Sequence, residues 1–368
     1  MGTISAYSTA HGRRYKVRWR RPDHRAAAKS GFATRREAAL FLASVEIDMS
    51  KGSYIDPARS RTRLDHWMGE WLAHRSDLKL SSRERAAGTV ERDILPILGA
   101  YPLGELTHAR CQEWAASLST RLAPASVRKS VSVLSGALEA AVRDGRLPSN
   151  PARGLLLPKV KKASKRYLSH AQVRDLASAV EATGAGIQNG KALGFGTLIR
   201  LAAYTGLRWS ELAGLRVRDI DFERGRLAVA HTVVEVGGVL HEGDPKNYEA
   251  RAVPIPAFVL RELRLHVEGR AGSEPLFVGP RSRSWLRNRT FRRGWLTPAA
   301  AAIGQPGLTP HELRHTAASL AISAGANVKA VQRMLGHASA EVTLNVYSDL
   351  FDDDLDDVAA RLDHAAAR

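Results

Sequence analysis

The chain's 368 residues are more than one hydrophobic core usually organises, so two or three domains are expected. A formal charge of +18, from 55 Lys and Arg against 37 Asp and Glu, favours a polyanionic partner whose neutralised phosphates release condensed counterions. The single cysteine, Cys111, excludes an internal disulfide and a multi-cysteine metal site; the basic N-terminal stretch lacks the apolar core of a secretory signal, and no run is apolar enough to span a bilayer, so a reducing cytoplasm is the expected setting.

Residues 1–60 open with Arg14–Arg20, where Tyr15, Val17 and Trp19 alternate with Lys16, Arg18 and Arg20. That pattern predicts a half-buried strand with a cationic outer face, the kind of face that can enter a DNA groove. Strand-like runs flank it near Thr3–Ser8 and Ala27–Phe32, and Thr34 with Glu37 reads as a capping box for a helix ending near Gly52. Residues 61–150 are helical in pattern. Leu64, Trp67, Met68, Trp71 and Leu72 share one helix face; Thr107 caps a helix running through Leu118; Pro124 opens another that turns Val127, Val131, Leu134 and Leu138 inward. Arg121, Arg128 and Lys129 lie off that stripe, where phosphates could be met. Prolines 151 and 158 and the basic run to Arg166 predict a linker over 151–166.

From Tyr167 to Arg368 the pattern is mixed. Helices are expected over Ser169–Ala179, Thr197–Tyr204, Val259–Val267, Pro310–Ala324 and Val328–Leu335, with strands at Arg226–Val234, Val239–Glu242 and Ala250–Ile255. Phe351, Leu355, Val358 and Leu362 form an apolar stripe in a C-terminal tail whose aspartates, at 352–354, 356 and 357, suit the start of a helix. Those carboxylates make the tail a poor DNA binder, so it is expected to pack on a protein surface, either its own domain or a neighbouring protomer.

Four pieces of this last segment carry chemistry: Arg208 in Thr205-Gly-Leu-Arg, Lys246 in a turn between strands, His311-Glu-Leu-Arg314-His315 opening a helix, and Leu335-Gly-His337 followed by Tyr347. The His311-Glu312-x-x-His315 string also matches a zinc-protease motif, in which Glu312 would be the base. Arg314 in the same turn opposes a cation, and no third ligand is clearly placed.

Taken together, in this order and spacing, these residues resemble the active-site set of tyrosine recombinases of the phage integrase type. The likeness is strong over Tyr167–Ser348, weaker over the helical segment, and one of layout alone over the first sixty residues. It implies a multidomain protein: a small β-sheet-plus-helix domain for arm-type DNA sites, an all-α core-site-binding domain, and a mixed α+β, mainly helical catalytic domain. It implies that Arg208 and Arg314 clamp the phosphate oxygens as permanently charged donors, with His311 and His337 as donors or proton carriers. Lys246 would protonate the leaving 5′-hydroxyl and Tyr347 would attack phosphorus. The bond energy is kept in a 3′-phosphotyrosine, so neither ATP nor a metal cofactor is expected. The resemblance also implies core and arm-type attachment sites on double-stranded DNA, a homotetramer exchanging strands through a Holliday junction, a DNA-bending host factor and an excisionase. The alternatives are a Xer-type resolving recombinase, a type IB topoisomerase and a DNA-binding regulator with a silent active site.

Overall fold

The computed structural model describes residues 2–10, 12–21, 24–50, 54–55, 57–160, 165–183, 187–188, 191–244, 250–280, 284–347, 363 and 366–367. Contacts divide the chain into two compact units, Met1–Lys162 and Ala163–Arg368.

The first unit contains two separate hydrophobic clusters. Strands β1 (Thr3–Thr9), β2 (Gly12–Arg20) and β3 (Ala26–Phe32) form an antiparallel sheet with β2 central. The alternation in β2 sets its two faces. Val17 and Trp19 are buried with Ala38 and Val45 of helix α1 (Arg35–Ser50), while Arg18 and Arg20 are exposed and Lys16 is half-buried. The capping box departs from the expected form: Thr34 Oγ1 accepts the Glu37 amide at 3.1 Å, but Glu37 reaches back to the amide of Ala33, not of Thr34.

Helices α2 (Leu64–Ala73), α3 (Leu80–Thr89), α4 (His108–Ser119) and α5 (Pro124–Arg143) build the second cluster. The stripes Leu64–Trp67–Met68–Trp71 and Val127–Val131–Leu134–Leu138 are buried as their spacing predicts. The helical stretch over 80–98, which passes through a wide π turn at Val90–Ile94, has no such stripe in its first turns and was not foreseen. It carries the buried Asp93, which accepts from Ser130 Oγ (2.9 Å) and pairs with Arg121 at 3.3 Å. Ala152 is buried in this cluster, and Leu155 and Leu157 pack against it.

The second unit is a helical core with short strands: α6 (His170–Ala182), α7 (Phe195–Thr205), α8 (Trp209–Gly214), β4 (Ile220–Asp221), β5 (Arg226–Val229), β6 (Thr232–Val236), β7 (Val239–Gly243), β8 (Arg251–Pro254), α9 (Ala257–His266), α10 (Pro310–Ser323), α11 (Val328–Leu335) and α12 (Ala340–Tyr347). Helix α7 is apolar nearly all round and lies at the centre. The single strand expected over Arg226–Val234 is two, interrupted at Ala230–His231. β5 joins an antiparallel sheet of order β8-β5-β4, whereas β6 forms a hairpin with β7 through Gly237 and Gly238, both with positive φ. Asn288–Ala302 is also helical, again through a π turn at Arg292–Leu296, and buries Phe291, Trp295 and Leu296. The tail stripe Phe351–Leu362 lies outside the described residues.

Candidate active site

The site is assembled at helix ends. Helix α7 stops at Gly206, whose φ of 67° is left-handed and whose α-carbon lies so close to Leu335 that a Cβ would sit 2.4 Å from Leu335 Cδ2. Two residues on, Arg208 is the N-cap of α8. Glu211, three residues later and fully buried, accepts both the Arg208 amide and its Nη1, each at 2.8 Å. Arg208 Nη2 then donates to the carbonyl of Gly336 (3.0 Å), the left-handed glycine that ends α11. Helix α10 begins with Pro310 at its first position and with Glu312 reaching back to accept the amide of the N-cap Thr309. Arg314 points inward from its second turn, 3% exposed, and donates to the carbonyl of Gly206 at 2.6 Å. Each arginine is thus held by the carbonyl of a glycine that closes a different helix.

Electrostatics makes this a site that favours an anion. Burial, and then the neighbouring Arg208, pull the Arg314 guanidinium down to about 10; Glu211 only partly opposes them. Among the described residues no carboxylate forms an ion pair with Arg314. Burial would push the Glu211 carboxyl up, but hydrogen bonds and charge from Arg251, then Arg208, hold it below its ordinary value. A cleft of about 220 Å³ opens here, lined by Arg208, His311, Asn288 and Arg292.

The imidazoles of the site are pushed toward their neutral form. Burial, then His311 and Arg314, pull His315 down to about 4, and burial with Arg314, Arg208 and Arg251 does the same to His337. His311 is also lowered, by desolvation and then by Arg314 and Arg208. His337 Nδ1 meets Thr343 Oγ1 at 2.9 Å, and the His311 and His315 rings are 4.7 Å apart. Tyr347, the last residue of α12, is 1% exposed among Ala318, Ile322, Val331 and Leu335. Its hydroxyl and His315 Nδ1 are hydrogen-bonded at 2.7 Å, and burial pushes its phenol up to about 12 against the influence of Arg314. Lys165 donates to the Val346 carbonyl beside it.

Of the residues expected from sequence, Arg208, His311, Arg314, His337 and Tyr347 lie on α8, α10, α11 and α12 and their junctions within this unit. Lys246 lies outside the described residues. The cations expected at DNA lie in the first unit. Lys16, Arg18 and Arg20 are on β2, and Arg121 pairs with Asp93. Arg128 donates to the carbonyls of Pro158 and Leu157, and Lys129 lines a groove with Arg75 and Arg85. The zinc-protease reading fails on Glu312. Its carboxylate accepts the Thr309 amide (2.7 Å) and hydroxyl (3.0 Å) and pairs with Arg166 (3.0 Å), so it is committed to holding the helix start. Sequence reading gave no role to His315 beyond that motif. His315's adjacency to Arg314 was the only signal that could have flagged it.

Comparison with known proteins agrees with this arrangement. The phage integrase family description matches residues 166–353, and the N-terminal SAM-like domain of phage integrases matches residues 64–119. The integrase of Mycobacterium phage L5 is 30% identical over 298 residues, spanning 78% of this chain and 75% of that protein. The tyrosine recombinase XerC of Mycobacterium sp. (strain KMS) is 30% identical over 299 residues, 78% of this chain and 89% of that one. In fold, the chain is similar to the Tn1549 transposon integrase solved with a circular intermediate DNA (TM-score 0.67, 24% identity, 82% and 99% of the two chains). It is also similar to a lambda integrase dimer bound to a core site (TM-score 0.58, 20% identity, 93% of each). With the family description matching residues 166–353 and a relative 30% identical over 78% of this chain, the protein belongs to the phage integrase family of tyrosine recombinases.

Proposed function

We propose that this protein is a site-specific DNA recombinase that integrates, and excises, a mobile element by cutting and rejoining DNA at paired attachment sites. The observation that carries this reading is the buried Arg314. Its guanidinium is driven down by burial and by Arg208, and among the described residues no carboxylate is paired with it. A scissile phosphodiester supplies the missing negative charge, and more of it in the transition state, where fixed cations act most strongly. Tyr347 Oη attacks phosphorus, its proton passing to a neutral imidazole of the site. The P–O5′ bond breaks, Lys246 protonates the departing 5′-oxygen, and the 3′ end stays joined to Tyr347. The reverse attack by another strand's 5′-hydroxyl reseals the DNA. His311 and His337 complete the donor set around the phosphate.

Because Tyr347 is buried with its hydroxyl on His315, it must leave its seat to reach DNA. The β2 face with Lys16, Arg18 and Arg20 is assigned to arm-type sites, and the helical part with Arg121, Arg128 and Lys129 to the core site. A lambda integrase tetramer on a Holliday junction is the precedent for four protomers acting together. A bending host factor and an excisionase belong to the same reading.

On a substrate nicked beside the cleavage point, wild-type protein should accumulate a covalent adduct. Tyr347→Phe should bind core-site DNA and form none. An adduct in Tyr347→Phe would move the nucleophile to Tyr204 or Tyr248 and overturn the assignment. The XerC likeness, at 30% identity, favours a second reading as a resolving recombinase. Recombination in trans between unlike attachment sites separates the two, because a resolving enzyme works on identical sites.

A further inference from the structure

We propose that Arg251 is a positioning residue for strand cleavage: by clamping Glu211 and the end of α11, it fixes the direction in which Arg208 presents its charge. The inference rests on the recombinase reading above and deepens it.

The geometry begins with Glu211, which is fully buried between two guanidiniums. Arg251, from the start of β8, meets it with both terminal nitrogens, Nη1 to Oε1 at 2.9 Å and Nη2 to Oε2 at 2.7 Å. This is the fork-on-fork geometry that fixes a carboxylate's plane. The Arg208 guanidinium donates one bond to the same Oε1 through Nη1 and another to the Gly336 carbonyl through Nη2. The plane of Glu211 therefore determines where the Arg208 guanidinium sits, and Arg251 determines the plane of Glu211.

Arg251 also reaches α11. Its Nε donates to the Met334 carbonyl at 3.3 Å, and its guanidinium lies against Gly336, where a Cβ would come within 3.0 Å of Cζ, Nε and Nη1. One side chain thus joins the arginine's carboxylate to the segment that delivers the Gly336 carbonyl and, one residue later, His337. Charge gives the same answer. Two guanidiniums share one carboxylate, and without Arg251 the buried Glu211 would draw Arg208 toward itself and away from a phosphate.

The test compares wild type, Arg251→Met, Arg251→Lys and the double variant Arg251→Met/Glu211→Gln. The readouts are single-turnover adduct formation on a nicked core site, core-site affinity, and thermal unfolding. Each protein is assayed with a normal phosphate and with an uncharged methylphosphonate at the cleavage point. Arg251→Met should slow cleavage roughly 10–100-fold, the range seen when outer-shell partners are lost, with core-site affinity unchanged. The loss should shrink to about threefold on the methylphosphonate, where a misdirected Arg208 matters less. Arg251→Lys should recover only part of the rate, since an ammonium cannot grip both oxygens. The double variant should cleave faster than Arg251→Met, because a neutral glutamine no longer captures Arg208; it also keeps the test open if the single variant fails to fold. Equal losses on both substrates, or a double variant no faster than the single, would overturn the proposal. Absence of any adduct with wild type would instead overturn the recombinase reading itself, whereas a wild-type adduct matched in rate by Arg251→Met would sink only the role of Arg251.

Discussion

Tyr347, the proposed nucleophile, is held in a state that resists ionisation. Burial holds the phenol at about 12 when folded, against about 10 in the unfolded chain. A raised folded value means that the contribution to stability is whole below pH 10 and is lost as pH rises from 10 to 12; two units correspond to roughly 3 kcal/mol. Urea unfolding of wild type and Tyr347→Phe, compared at pH 8 and pH 11.5, should show the wild type losing the larger share. Parallel losses would mean that the phenol is open to solvent. The histidines move the other way. His315 and His337, held near 4, are neutral in the folded protein and take up protons on unfolding, so their contribution is whole above pH 6.5 and disappears as pH falls toward 4. A bound phosphate offsets the arginine charge that helps to depress them, so binding core-site DNA should be accompanied by proton uptake near pH 6. Calorimetry in buffers of different ionisation enthalpy measures it directly, and His337→Gln should reduce the number of protons taken up.

The elements differ in how openly they declare themselves. In β2 the alternation Tyr15–Val17–Trp19 against Lys16–Arg18–Arg20 places the cations on the face away from α1. Arg18→Glu with Arg20→Glu should therefore abolish binding to arm-type DNA and leave adduct formation at an isolated core site intact. Footprinting of the full attachment site would show it, and unchanged arm protection would assign this sheet to protein contacts. That face was legible because strand period and charge period coincide. The stripes on α2 and α5 were legible for the same reason. Helix α3, Leu-Ser-Ser-Arg-Glu-Arg-Ala-Ala-Gly-Thr, was not, because it buries only Ala86 and Thr89 and shows no apolar period. Arg226–Val234 read as one strand because Leu, Val and Thr recur in it with no Gly or Pro between them; the break at Ala230–His231 follows from which partners β5 and β6 find, a fact of tertiary pairing. The reactive groups of the site were legible from motif order, but their supports were not. Arg251 meets Glu211 across 40 positions and His315 meets Tyr347 across 32, and no local pattern announces either contact.

At the scale of the whole molecule, the excess of cations and the chemistry of strand exchange give separable expectations. DNA affinity should fall steeply with salt, because each phosphate contact releases counterions. Cleavage should persist in EDTA, since the proposed mechanism has Arg208 and Arg314 rather than a cation neutralise the phosphate. Arg208→Ala or Arg314→Ala should each cost about 3 kcal/mol of transition-state stabilisation, by comparison with the loss of oxyanion-hole donors. Activity lost to chelator and restored by zinc would contradict the assignment. The two glycine carbonyls that receive these arginines have a further consequence. Arg314 on α10 is tied to the end of α7 at Gly206, and Arg208, two residues beyond that end, is tied to the end of α11 at Gly336. Helices distant in sequence are closed into a ring through the same guanidiniums that would meet the DNA. Cutting ability should therefore appear and vanish together with native structure. In a urea titration, loss of adduct formation should coincide with loss of near-ultraviolet circular dichroism from this unit, leaving no partly unfolded form able to break a strand.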